Sequence, residues 1–190
     1  IKEAADFHAV QLGVVSGLKG VDLALFETVC TAREAVGMAL AAKLTNLPTA
    51  ISFVVDKEGK LLSGESLADS IRQVDAASGF YPSFYSVNCS PIEGVWRAFD
   101  ASNGQRERIA MAYPNASSKD PRLLDETDGI VTDLEAEARA GELAKIANLN
   151  RHVRVVGGCC GFDHDAVKVL AAGVRSSLES ADYSIVHQTL

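Results

Sequence analysis

The sequence has no uninterrupted apolar run near the roughly 20 residues that a membrane-spanning helix needs. It also has no charged amino-terminal region leading into an apolar core, the mark of a secretory signal. A cytoplasmic chain is the expectation. Basic blocks are missing too: Lys and Arg number 18 against 25 Asp and Glu, a formal net charge of −7 with the two signs interspersed. That balance argues against a nucleic-acid partner and against an anionic membrane surface. The histidines His8, His152, His164 and His187 stand at spacings that match no zinc-ligand pattern, so each is read as a surface or packing residue. Cysteine is scarce, with four in 190 residues. A chain of this length buries a core without disulfide staples, so reduced thiols are expected.

What is present fits one α/β domain over residues 1–190, with 47% hydrophobic and 23% charged residues. The chain opens at Ile1 inside a helix-like pattern, so the natural amino terminus is expected to lie upstream.

Strand and helix signals alternate along the whole sequence. Helical spacing over 1–18 ends at Gly17 and Gly20, and residues 21–26 read as a strand that stops at the polar pair Glu27-Thr28. Thr31 with Glu34 forms a capping box ahead of an Ala-rich helix over 35–43. A strand over 49–55 follows Pro48, then turn residues 56–60, then a helix over 67–77 capped by Ser66. The β-prone stretch 83–87 ends at Asn88-Cys89-Ser90-Pro91, with Pro91 suited to the start of a helix over 92–99. Residues 109–113 repeat the pattern and end at Pro114-Asn115-Ala116. A helix from about 132 to 147, a strand over 153–156 and a helix over 165–177 complete the chain. A doubly wound sheet and a barrel both permit this alternation. The unusual polar and thiol residues, however, all sit at the same end of their strands, as in a (β/α)8 TIM-type barrel. Five βα units alone do not close one.

The most informative stretch is Val153 to Gly161, where a β-branched run stops at Gly157, Gly158, Cys159, Cys160 and Gly161. The glycines permit a sharp path and close approach, so a buried strand is expected to deliver two thiols to a sheet edge. Cys89 lies 70 residues earlier, beyond the reach of any local finger or ribbon. Only a fold that gathers separate strand ends brings the three sulfurs together. Three thiolates and one open position describe a catalytic zinc site. Its electron-rich centre keeps a fourth, substrate-derived thiolate ionised yet nucleophilic, which suits alkyl transfer to sulfur.

Five strand-end segments resemble the zinc-dependent homocysteine S-methyltransferases: Phe26-Glu27-Thr28, Ile51-Ser52-Phe53, Val87 to Pro91, Tyr113 to Ala116, and Gly157 to Gly161. They stand in the family's order and cover nearly the whole chain. The resemblance implies that Cys89, Cys159 and Cys160 bind Zn2+ and that the homocysteine sulfur joins them. It also implies methyl transfer by in-line displacement from a small onium donor: S-methylmethionine, S-adenosylmethionine or betaine. Glu27 and Asn115 become substrate-site residues, Glu27 against the amino group and Asn115 as a resting-state oxygen ligand. The sequence departs from the family where Cys30 replaces a usual proline after Glu-Thr, and where Phe162-Asp163-His164 replaces a Thr-Thr-Pro-like segment. The family's barrel also carries about three further βα units ahead of this stretch.

Plainer readings stand beside these. An isolated Cys-Cys pair is usually buried packing or a vicinal disulfide, and here the glycine frame and Cys89 reverse that preference. Glu27 alone reads as a solvated loop charge, and Asn115 after Pro114 as turn chemistry. Cys30 is assigned to packing at a helix start, and His164 to a helix surface. Two alternatives to the enzyme remain. One is a non-catalytic partial barrel that binds zinc or a partner; the other is the homocysteine module of a larger cobalamin-dependent methionine synthase.

Overall fold

The computed structural model describes residues 1–124, 132 and 135–187. Its elements are α1 (Lys2–Val15), β1 (Ala24–Val29), α2 (Ala32–Thr45), β2 (Thr49–Phe53), α3 (Leu67–Ser78), β3 (Phe84–Asn88), α4 (Ile92–Ala101), β4 (Ile109–Tyr113), α5 (Pro121–Leu124), α6 (Ala136–Leu149), β5 (Val155–Val156) and α7 (His164–His187), with one 3-10 turn at Arg106–Arg108. The β-branched and aromatic runs form the strands. The Ala-rich segments form helices because they lose little side-chain freedom there.

All neighbouring strands are parallel and lie in chain order, β1-β2-β3-β4-β5. A doubly wound sheet reverses its strand order at a switch point. The described strands show no reversal, so they form a singly wound run of βα units, consistent with part of a TIM-type barrel. Helices α1, α2, α3, α4, α6 and α7 pack each against the next in chain order. The main core lies between them and the sheet, with Ile51, Phe53, Tyr85, Val87, Ile109, Ala112, Ile71, Val95, Leu143 and Ile146 almost fully buried. Among the described residues, no helix is long and apolar enough to cross a membrane.

Local chemistry sets the helix starts. Thr31 accepts a hydrogen bond from the Glu34 amide at 3.1 Å, and Ser66 one from the Asp69 amide at 3.1 Å. Each satisfies one of the donors that a first turn leaves open. On the core side, Asp75 is 2% exposed and accepts from the Tyr85 hydroxyl at 2.7 Å. It also accepts from Arg108 through both carboxylate oxygens, at 3.0 Å each, so the buried charge is paired and hydrogen-bonded.

Several boundaries differ from the sequence reading, among them the end of α7, read at about 177 and found at His187, and three others. Strand β1 starts at Ala24 and runs through Glu27 and Thr28 to Val29, because pairing with β2 breaks after Phe26 and resumes at Val29 opposite Phe53. The polar pair is therefore a bulge within the strand rather than its end. Strand β5 is only Val155–Val156 and is not buried: Val155 is 48% exposed. It pairs in the described sheet with β4 alone. The helix expected from about 132 begins at Ala136, and Asp133 and Leu134 lie outside the described residues.

Candidate functional site

Because the strands are parallel, their carboxyl ends converge, and backbone hydrogen bonds join one exit to the next. The Asn115 amide donates to the Ser90 carbonyl at 2.9 Å, tying the β4 exit to that of β3. Cys159 donates to Pro114 at 2.8 Å, and Ala116 donates to Cys160 at 2.8 Å, tying β5 to β4. Ser90 accepts from the Val55 amide at 2.8 Å and so fastens the β3 exit to the chain leaving β2.

This arrangement brings Cys89, Cys159 and Cys160 together, with all three sulfurs within 4.8 Å of one another. Cys89 and Cys159 have Cα atoms 5.5 Å apart and are in direct S–S contact, while Cys160 is free and exposed. The sequence reading expected reduced thiols; the fold sets two of them close enough to bridge. A tetrahedral zinc with Zn–S bonds of about 2.3 Å holds its sulfurs about 3.8 Å apart. Sulfurs gathered within 4.8 Å of one another could take up that spacing once Cys89 and Cys159 are thiolates.

The glycine frame has two distinct reasons. Gly161 has φ +82°, a left-handed conformation that side chains rarely adopt. At Gly158 a Cβ would overlap the Phe162 ring, which lies over the cysteine loop with the Arg139 guanidinium stacked on it at 4.7 Å. Gly157, expected to be equally constrained, is not: a Cβ there would meet only Tyr113 Cβ, at an ordinary 3.6 Å.

Glu27 is exposed, and its Oε1 accepts a hydrogen bond from the Tyr113 hydroxyl at 2.9 Å. Strands about 4.8 Å apart put β1 and β4 about 14 Å from each other along the sheet. The two side chains meet on one face across β2 and β3, as curling toward that face permits. Burial, with the Glu27 carboxylate adding to it, pushes the Tyr113 phenol up to about 12. The nearby Ser52 and Ser86 hydroxyls oppose the shift, so the phenol is a protonated donor at neutral pH. Both of those hydroxyls are buried without a hydrogen-bond partner of good geometry.

Asn115 is 2% exposed, and its Oδ1 is a buried acceptor with no hydrogen-bond partner. Such an orphaned oxygen costs free energy unless something binds it. Cys30 does not join the cluster; its thiol donates to the Thr28 carbonyl at 3.5 Å. His164 lies at the start of α7 with its side chain 91% exposed. Sequence reasoning placed Tyr113 and Asn88 in strand-end segments of this region but gave neither a role. The signal was strand parity: Asn88 and Tyr113 are register partners, and Ser86 on the same strand face is opposite Met111.

A thiol cluster that could hold a metal ion, at the carboxyl ends of a parallel sheet, defines the class: an α/β protein with three cysteines gathered at its strand exits. A sequence model of the homocysteine S-methyltransferase family matches residues 1–174. The chain belongs to that family, whose chemistry is, in broad terms, methyl transfer to homocysteine.

Proposed function

We propose that the full-length protein makes methionine by transferring a methyl group to homocysteine from S-methylmethionine, S-adenosylmethionine or betaine. In this reading the arc β1 to β5 is part of a closed (β/α)8 barrel, and Cys89, Cys159 and Cys160 hold a zinc ion. The observation that carries it is the convergence of three sulfurs from two distant strand exits to within 4.8 Å. Zinc bound there supplies a soft Lewis acid that keeps the substrate sulfur as thiolate at neutral pH.

The chain's own residues do the rest. Glu27 receives the ammonium group of the amino acid, and Tyr113, donating to Oε1, fixes one oxygen of that carboxylate. Asn115 supplies the acceptor oxygen at rest. The thiol proton leaves to solvent on binding. The sulfur lone pair then forms the new C–S bond as the methyl–onium bond breaks, and that electron pair departs with a neutral sulfide or amine. Cys89 and Cys159 must be thiolates, so the reading calls for a reducing compartment, the cytoplasm.

The test is a donor panel with zinc-loaded full-length protein and homocysteine. Methionine should appear with at least one of the three donors; none with any of them refutes the assignment.

A further inference from the structure

We propose that Asn88 is a positioning residue that sets the distance between Glu27 and Cys89, and thereby selects the chain length of the aminothiol. The inference rests on the functional reading above and concerns a residue with no assigned role in it.

Asn88 is 1% exposed and makes two hydrogen bonds to one residue. Its Oδ1 accepts from the Thr28 amide at 3.0 Å, and its Nδ2 donates to Thr28 Oγ1 at 2.9 Å. The bond pair links β3 to β1, which are not neighbours; β2 lies between them. Thr28 follows Glu27 in the bulge where β1 leaves its register, and Asn88 directly precedes Cys89. Thr28 has φ +59° and Cys89 φ +47°, left-handed backbone that non-glycine residues adopt at a cost and keep only when their surroundings hold them. One side chain therefore ties together the two unusual turns that aim the carboxylate and the sulfur.

An aminothiol bridging these groups has a fixed span from nitrogen to sulfur. Homocysteine and cysteine differ in that span by one methylene, too little for charge or hydrogen-bond chemistry to distinguish. A rigid separation between the anchors does distinguish them, because the shorter molecule cannot engage both.

The experiment compares homocysteine and cysteine binding by calorimetry to zinc-loaded full-length protein, for wild type, Asn88→Ala, Thr28→Val, the double variant and Thr28→Ser. Wild type should prefer homocysteine. Asn88→Ala should shrink the homocysteine-to-cysteine affinity ratio by about tenfold, the scale of losing two neutral hydrogen bonds, with zinc content unchanged. Thr28→Val should shrink it less, and the double variant no more than Asn88→Ala, because both act through the same pair. Thr28→Ser keeps the hydroxyl and should keep the ratio. A ratio within twofold of wild type in Asn88→Ala overturns the proposal, and if that variant does not fold, an unchanged ratio in Thr28→Val does so. Wild-type protein that binds no homocysteine overturns the functional reading as well, a result distinct from an unchanged ratio.

Discussion

Replacing Gly158 by alanine should loosen the loop that carries two of the three sulfurs, and the structure says what it would strike. The new Cβ would overlap the Phe162 side chain, which packs against the core and carries the stacked Arg139 guanidinium. A half-buried ring is not free to swing away without giving up that stacking, so either Phe162 or the 157–161 backbone shifts. Overpacking of this kind costs about 1–3 kcal/mol. Phe162→Ala alone should cost about 2 kcal/mol, from part of an aromatic burial plus a cation–π contact. In the double variant the ring is gone, but the Cβ that alanine keeps at 162 still lies too close to the new Cβ, so the cost should fall below the sum of the single changes without dropping to that of Phe162→Ala. Urea melts of the four proteins measure these values, and zinc titration of each reports whether the loop has moved. Gly158→Ala with wild-type stability, or strictly additive costs, refutes the reasoning.

Cys89→Ser, Cys159→Ser and Cys160→Ser should each lower zinc content well below the roughly one ion per chain expected of wild type, read by metal analysis after dialysis; full retention in all three defeats the metal assignment. Asp75→Ala should cost about 3–5 kcal/mol in chemical denaturation, because it strands the Arg108 guanidinium and the Tyr85 hydroxyl that both bond to Asp75. For Tyr113 the folded phenol is held protonated up to about 12, above its ordinary 10.0. Its contribution to stability is thus intact below pH 10 and lost as pH rises toward 12. Tyr113→Phe should flatten that part of the alkaline loss, and an identical stability–pH curve would show the shift to be absent.

The sequence was most legible where chain-local chemistry acts. Thr31 and Ser66 cap the helices expected of them, β4 spans Ile109–Tyr113 as read, and Cys89 sits at the exit of β3. The three cysteines were assigned to one cluster across a gap of 70 residues because no shorter-range pattern explains them, and the fold does bring them together. What escaped is tertiary. The Glu27–Thr28 bulge depends on how β1 registers against β2. Asn88 received no role of its own because its partner, Thr28, is 60 residues away. Tyr113 likewise received no role of its own, because its bond to Glu27 crosses two strands.

The division of the thiols between strand exits has a practical side. Cys89 comes before the turn at Gly104, which has φ +79° and open space around it, while Cys159 and Cys160 come after. A cut at that turn would yield two pieces, one with a single cluster sulfur and the other with two. Neither piece alone holds the cluster, so three-sulfur metal binding by the mixture would be a direct signal that the halves had found each other in native register.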